Sequence, residues 1–319
     1  MKNFYSVFLL AQSLFAFPST TVATDTYSFL VIGDWGAPAG QKNIVKAMND
    51  IAVRDDAKFM MALGDNFYGT DELLIVLETG VSSTTDSKWK NVWKNVYTDR
   101  LQSIDWYSVL GNHDWYGNEQ AQIDYSKVDK KWIMPDYFYT KVEKFGDKKV
   151  AILFIDTDLM NYGYTCTQGP ECWLIDFSKA GWSKAKNTLE TQFKWVEDQL
   201  IANKDADYLF VAGHHNVNLC GAKKDMPRLA TLMEKYNVSA YFFGHQHSLG
   251  YTKKANTMYV LSGAAGKTEN GCSGATWSSG NVFGFVNVKL EGQKFTVDFI
   301  NQSGTILNSQ VGSPRSLPK

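Results

Sequence analysis

The stretch SAYFFGHQH, residues 239–247, places two histidines directly after an apolar run. The run is short and rich in aromatic residues, which is typical of a strand buried on both faces. In an extended segment alternate side chains point to the same side, so His245 and His247 can face one site. Imidazole suits zinc, iron and copper, and the stretch therefore predicts a metal site at the end of a buried strand.

Five other short apolar runs end in the same way, most of them at a glycine. Between these predicted strands, residues 41–54, 187–203 and 225–236 carry apolar side chains at helical spacing. The alternation predicts a layered α/β fold, and residues 283–288 and 295–300 predict a hairpin. The runs are 27–32 before GDWG (33–36), 59–63 before GDNFY (64–68), 106–110 before GNHD (111–114), 150–155 before Asp156, and 208–212 before GHH (213–215).

These polar turns are expected to meet, because ligands of open α/β sheets bind at the carboxyl ends of the strands. The chain has 5 histidines, and all of them fall in such turns. A lone histidine is more often a structural or surface residue, but that explanation does not account for the whole set. The mixture of donors predicts two unlike metals. The converging candidates are Asp34, Asp65, Tyr68, Asn112, His113, His214, His215, His245 and His247.

The N-terminus has the pattern of a secretory signal. Lys2 precedes the apolar stretch 7–17, and Thr21-Val22-Ala23 supplies small residues for cleavage. The alternative is a buried N-terminal helix. We expect residues 1–23 to be removed and residues 24–319 to form one catalytic domain, secreted or lumenal in the secretory or lysosomal pathway. We expect no stable membrane anchor, because the apolar stretch is shorter than the ~20 residues that span a bilayer.

Composition narrows the possible partners. The 32 basic and 33 acidic residues leave a net charge of −1, without the basic excess typical of nucleic-acid binding. The chain is expected to act as a monomer, and the sequons at Asn237 and Asn301 to carry glycans if they are exposed. Four cysteines in a secreted protein suggest disulfides, with three pairings open. They are Cys166, Cys172, Cys220 and Cys272.

The ordered motifs GDWG, GDNFY, GNHD, GHH and GHQH resemble those of the metallophosphoesterases. The variants with Trp35 and Tyr68 resemble the small, tartrate-resistant type of purple acid phosphatase, over roughly residues 27–265. The resemblance implies a four-layer α/β/β/α sandwich of two mixed sheets. It also implies hydrolysis of phosphate monoesters, on small molecules or phosphoproteins, by hydroxide activated at a dinuclear Fe(III)–M(II) centre.

The resemblance also implies a role for each candidate. Asp65 would bridge the two metals, and Asn112 and His113 would contact the substrate. His113 would stabilise the phosphoryl oxygens or protonate the leaving group; the alternative is an orienting hydrogen bond to Asp114 or to nearby backbone. The ferric ion would be held by Asp34, Tyr68 and His247, and the divalent ion (Fe, Zn or Mn) by Asn112, His214 and His245.

Two departures from the family concern the general acid. His215 stands where the family usually has tyrosine, and residues 216–224 lack the second active-site histidine of the mammalian-type enzymes. The missing role is therefore either unfilled or taken by His215 or Lys223. His215 is expected to titrate near an acidic working pH and to act as a proton donor.

Two other functions remain as alternatives. A phosphodiesterase or nucleotidase would use nearly the same metal ligands, although Tyr68 favours a ferric site instead. A non-catalytic secreted binding protein is disfavoured because all seven ligand positions carry competent donors. Residues 70–86 are expected to form either a loop over the site or a plain surface loop.

Overall fold

The computed structural model describes residues 26–69, 79–163, 188–221 and 223–315. The proposed signal peptide, residues 70–78 of the predicted loop, and Cys166 and Cys172 lie outside these ranges. The described chain contains fourteen strands in two mixed sheets. They are β1 Thr26–Ile32, β2 Phe59–Leu63, β3 Asp105–Val109, β4 Trp132–Ile133, β5 Tyr139–Phe145, β6 Lys148–Phe154, β7 Tyr208–Ala212, β8 Ala240–Phe243, β9 Leu249–Lys254, β10 Thr257–Ser262, β11 Trp277–Ser278, β12 Gly284–Glu291, β13 Lys294–Asn301 and β14 Ile306–Gly312.

Each sheet has seven strands and a parallel centre. The first runs β14-β13-β12-β1-β2-β3-β4, with β1 to β4 parallel to one another. The second runs β11-β9-β10-β8-β7-β6-β5, with β6, β7, β8 and β10 parallel. All six apolar runs predicted from the sequence lie in these parallel centres. The predicted hairpin is formed by the antiparallel pair β12 and β13.

Seven α-helices and one π-helical turn, Trp89–Lys94, are described. The three long helices contain most of the segments predicted from their periodicity. The helices Pro38–Arg54 and Met226–Lys235 carry proline in their first turn. The helix Leu189–Ala202 is capped by Thr188, whose side chain accepts a hydrogen bond from the Thr191 N–H. They are α1 Pro38–Arg54, α2 Arg100–Ser103, α3 Asn112–Trp115, α4 Glu119–Tyr125, α5 Asp158–Tyr162, α6 Leu189–Ala202 and α7 Met226–Lys235.

Three apolar cores hold the layers together. Phe29 and Phe59 of the first sheet stack at 4.7 Å between the sheets, and Phe242 of the second meets Phe29 edge-on at 6.2 Å. Helix α1 and a tryptophan cluster cover the outer face of the first sheet. Helices α6 and α7 cover the second. The predicted α/β/β/α sandwich of two mixed sheets is therefore confirmed.

Two further features bear on the expectations for a secreted protein. The structure pairs Cys220 with Cys272, which joins the loop after β7 to the segment before β11. Among the helices of the described ranges, none combines the length and the apolarity needed to cross a bilayer.

Candidate metal centre

The turns that follow the parallel strands meet at one edge of the two sheets. Asp34 follows β1, Asp65 follows β2 and Asn112 follows β3, while His214 and His245 follow β7 and β8. The hydrogen bonds and close approaches described below link these residues to Tyr68 and His247. The fold thus brings together all seven metal ligands that the resemblance implied.

Glycine is required in these turns because backbone and carboxylate approach each other closely. A Cβ atom at Gly111 would overlap Asp65 Oδ1, and one at Gly244 would overlap Asp34 Oδ2. The glycines that lead the motifs therefore make room for the ligands of neighbouring turns.

Three of the candidate ligands adopt a left-handed backbone conformation. The φ angles are 54° at Asp34, 49° at Asp65 and 70° at His245. A non-glycine residue in this region costs about 1–3 kcal/mol and persists only where its surroundings hold it. Such outliers cluster at functional sites, and here they redirect the chain as it leaves β1, β2 and β8.

Asp65 lies between two groups of donors. Its Oδ2 accepts a hydrogen bond from the Tyr68 hydroxyl at 2.9 Å. Its Oδ1 accepts one from the His113 backbone N–H at 2.9 Å and lies 3.5 Å from His214 Nε2. The two carboxylate oxygens therefore face opposite groups, which is the arrangement that a bridging ligand needs.

The first group consists of two imidazoles and a carboxylate oxygen gathered around Asn112 Oδ1. The Nδ1–H of His214 donates to the Leu63 carbonyl at 2.8 Å, since a carbonyl oxygen can only accept. Nε2 of the neutral ring then carries a lone pair, and it lies 3.2 Å from Asn112 Oδ1. Asn112 Oδ1 is also 3.0 Å from His245 Nδ1. With Asp65 Oδ1 beside them, these acceptors fit a cation.

The second group surrounds Asp34. Its Oδ1 is 3.4 Å from the Tyr68 hydroxyl and 3.6 Å from His247 Nε2, and its Oδ2 accepts the His245 N–H at 2.8 Å. Asp34, Asp65 and His214 each place a ligand atom within 4.8 Å of the others'. Two carboxylates, a phenol and an imidazole form a harder donor set than the first group, so the two groups suit different metals.

Burial sets the charges in the site. It raises the pKa of Asp34 well above its ordinary value, and the charge of Asp65 raises it further. Burial also opposes ionisation of Asp65, but His214 and His113 outweigh it and hold its pKa below the usual range. Burial, followed by His214, lowers the pKa of His245 to about 3. Its imidazole is therefore neutral and able to ligate a metal.

His113 is half-buried beside this centre. Its ring packs against Tyr68 at 4.4 Å and Tyr116 at 5.0 Å between centroids. Gly80 donates its N–H to the His113 carbonyl at 2.7 Å, so the described end of the predicted loop 70–86 lies next to it.

The suggested orienting contact between His113 and Asp114 is absent from the bonds that Asp114 makes. Its carboxylate accepts from the backbone N–H groups of Gly111 (2.9 Å) and Asn66 (3.1 Å) and from Gln122 Nε2 (2.7 Å). Asp114 therefore fixes the turns after β2 and β3. Burial and then Asp65 raise its pKa to about 7.

The structure contradicts the expectation that His215 titrates near an acidic working pH. The side chain is fully buried, and this burial, followed by the charge of His245, lowers the pKa of His215 well below its ordinary value. Lys223 is exposed on the loop after β7. His215 therefore lacks the property expected of a proton donor in acid.

The residues that support the ligands lie outside the motifs that the sequence displays. Asn112 Nδ2 donates to the Tyr116 hydroxyl at 3.0 Å, which turns Oδ1 towards the two imidazoles. Glu269 accepts the His247 N–H, and Lys267 Nζ lies 4.1 Å from the centre of the Tyr68 ring. Of these residues, only Tyr116 could have been linked to a ligand from the sequence, because it lies one helical turn after Asn112.

Tyr116→Phe is expected to weaken binding of the divalent metal roughly 10- to 100-fold, the usual cost of losing an outer hydrogen bond to a ligand. The substitution removes the hydroxyl that orients Asn112 and leaves the ring against His113. Metal titration of the stripped protein measures the effect. Tyr125→Phe, stacked on Trp89 away from the site, is the control. Equal affinity in both variants would refute an orienting role.

Two clustered groups of metal donors at the ends of parallel strands are typical of a dinuclear phosphoesterase. Residues 27–249 match the family model of the calcineurin-like phosphoesterases, and the chain belongs to that family. It is 32% identical to tartrate-resistant acid phosphatase type 5 of Mus musculus, over 90% of each chain. It is 29% identical to purple acid phosphatase 4 of Arabidopsis thaliana, over 88% of this chain and 82% of that one. These relatives confirm the resemblance and imply a dinuclear metal centre.

Solved structures share the fold. The Plasmodium protein described as GAP50, the anchor in the inner membrane complex, superposes with a TM-score of 0.73 over 91% of this chain and 90% of its own. Purple acid phosphatase PPD1 of yellow lupin gives 0.59 over 91% of this chain and 54% of its own. At 21% and 15% identity, these likenesses support the architecture alone.

Proposed function

We propose that this chain is an acid phosphatase that hydrolyses phosphate monoesters at a dinuclear metal centre. The observation that carries the proposal is the set of unprotonated donors around Asp65. His214 Nε2 and Asn112 Oδ1 meet at 3.2 Å, with Asp65 Oδ1 3.5 Å from the same nitrogen. The same centre buries two neighbouring carboxylates, Asp34 and Asp65, whose negative charges are costly without a cation.

We assign the two donor groups to different ions. Asp34, Tyr68 and His247 would hold Fe(III), and Asn112, His214 and His245 a divalent Fe, Zn or Mn, with Asp65 shared. When bound, the pair of metals polarises the phosphoryl group and makes a water nucleophilic at acid pH. The chain's own contribution is to fix these donors, through the Leu63 carbonyl, Asp114 and the backbone N–H groups of α3.

The substrate would contact Asn112 and His113. The imidazole of His113 lies next to Tyr68, and its backbone is tied to Asp65. It is placed to stabilise phosphoryl oxygens or to protonate the departing alcohol. We propose His113 as the general acid, since it lies half-buried beside the centre, whereas His215 is fully buried.

The remaining assignments follow from the sequence. We propose that residues 1–23 are a signal peptide, that residues 24–319 form one catalytic domain, and that the monomeric protein is secreted or lumenal. Its substrates would be phosphomonoesters rather than nucleic acids. Assaying a monoester and a diester side by side tests this choice, because a phosphodiesterase would prefer the diester.

The ferric assignment predicts colour. A phenolate on Fe(III) gives a charge-transfer band in the visible, so the purified protein should be purple or pink. Tyr68→Phe is expected to remove the band, because only the phenolate oxygen donates the electron, while the divalent metal stays bound. An absorption spectrum with metal quantification measures both effects.

Tyr137→Phe serves as the matched control, since Tyr137 packs on Trp115 outside the ligand set. It should keep the band. A colourless, fully active protein with two zinc ions would refute the ferric assignment and leave the dinuclear phosphoesterase in place.

A further inference from the structure

A third imidazole lies beside the proposed divalent-metal ligands. One ring nitrogen of His215 is within 4.8 Å of ligand nitrogens of both His214 and His245. The His215 ring centre is 4.6 Å from that of His245. The side chain is fully buried, and its Nε2 has no hydrogen-bond partner among the described residues. A buried ring nitrogen of this kind is costly unless a ligand supplies the partner.

Thr157 decides which nitrogen of His215 carries the proton. Its Oγ1 accepts hydrogen bonds from the backbone N–H groups of His214, at 3.2 Å, and His215, at 2.9 Å. Both lone pairs of the hydroxyl are then used, so its O–H must donate to His215 Nδ1, 2.9 Å away. A neutral imidazole that accepts at Nδ1 holds its proton on Nε2.

This tautomer makes His215 a donor rather than a metal ligand. A ligand nitrogen needs its lone pair, and Nε2 uses that position for hydrogen. Moving the proton to Nδ1 would point it at Thr157 Oγ1, which already accepts two hydrogen bonds. His214 has the opposite tautomer, because the Leu63 carbonyl holds its proton on Nδ1. At Nε2, His214 therefore presents a lone pair to a metal, whereas His215 presents an N–H to an acceptor.

We propose that His215 Nε2–H donates a hydrogen bond to an oxygen of a phosphoryl group bound beside His214 and His245. This inference rests on the proposed function, which supplies the oxyanion. Among neutral side chains, a fixed imidazole N–H suits this place, because a fully charged donor would repel the metal that binds next to it. His215 is thus assigned to substrate binding.

Phosphate binding tests the proposal without measuring turnover. Inorganic phosphate is titrated calorimetrically into the metal-loaded wild-type protein and into His215→Phe and His215→Gln, with metal content measured for each. His215→Phe should keep both metals and bind phosphate roughly 10- to 100-fold more weakly, the effect of losing one hydrogen bond to a charged acceptor. His215→Gln, which retains an N–H donor, should recover part of the affinity.

A second measurement uses the wild-type chain and does not depend on a variant that folds. Long-range proton–nitrogen NMR of the zinc-loaded protein should find hydrogen on Nε2 of His215 and on Nδ1 of His214. The His215 Nε2–H signal should shift when phosphate is added.

The outcomes separate the two proposals. Loss of metal in His215→Phe, or an unprotonated Nε2 in the wild type, would make His215 a ligand and overturn the inference. Unchanged phosphate affinity with both metals retained would also overturn it, while the proposed function stands. A wild-type protein that binds neither metal nor phosphate would overturn the proposed function and this inference together.

Discussion

Asp65→Asn is expected to reduce phosphatase activity by more than ~100-fold and to release at least one metal. Losing a hydrogen bond to a metal ligand usually costs ~10- to 100-fold in activity, and losing the ligand itself should cost more. The Asp65 carboxylate faces the Tyr68 hydroxyl with one oxygen and His214 with the other. An amide keeps the shape but loses the negative charge and one of the two oxygens. It also places an N–H₂ group against either the Tyr68 side or the His214 side. Metal quantification and a monoester assay measure the two effects.

The control for Asp65→Asn is the same chemical change at Asp50, whose exposed carboxylate pairs with Lys46 on α1. Asp50→Asn should leave metal content and turnover unchanged. The far-ultraviolet circular dichroism of both variants should match the wild type, since neither residue lies in an apolar core. Full metal occupancy with normal turnover in Asp65→Asn would refute the bridging role.

The parallel centres of both sheets could be predicted because their strands are continuous apolar runs. β2 and β7, for example, are buried at every residue. The edge strand β5, Tyr139–Phe145, escaped prediction because none of its residues is buried and it carries two lysines and a glutamate. Its identity as a strand comes from pairing with β6, a contact that local composition does not reveal.

The candidate ligands could be predicted because each follows an apolar run that sets its position. The orientation of these ligands could not be predicted from the sequence. The partner of the His245 N–H is Asp34, 211 residues away in the sequence, and His214 is held by a backbone carbonyl 151 residues away. Thr157 determines the tautomer of His215, yet no motif marks it. Such contacts depend on how the two sheets pack, and local sequence holds little information about that.

The burial of His215 also could not be predicted from the local sequence. Its place after the ligand His214 suggested a residue that titrates in acid. In the structure, Tyr241 donates its hydroxyl to the His215 carbonyl, and the Tyr162 ring packs edge-on against the imidazole at 5.2 Å. The resulting desolvation, which lowers the pKa of His215, is set by the packing of β8 and α5 around it.

His113→Ala is expected to lower turnover roughly 10²- to 10⁴-fold, the usual contribution of a positioned proton donor, while metal content stays near normal. The His113 backbone N–H supports Asp65, and an alanine backbone keeps that hydrogen bond. Only the imidazole against Tyr68 and Tyr116 is removed. Steady-state kinetics and metal quantification on the same preparations measure the two quantities.

The choice of leaving group separates the two roles open to His113. If its imidazole protonates the departing oxygen, His113→Ala should impair hydrolysis of an alkyl phosphate far more than that of a nitrophenyl phosphate, whose leaving group departs without a proton. If the imidazole binds phosphoryl oxygens instead, both substrates should suffer equally, and His113→Gln, which keeps a neutral N–H donor, should restore part of the rate with each. Loss of metal together with activity in His113→Ala would make His113 a ligand and contradict both roles.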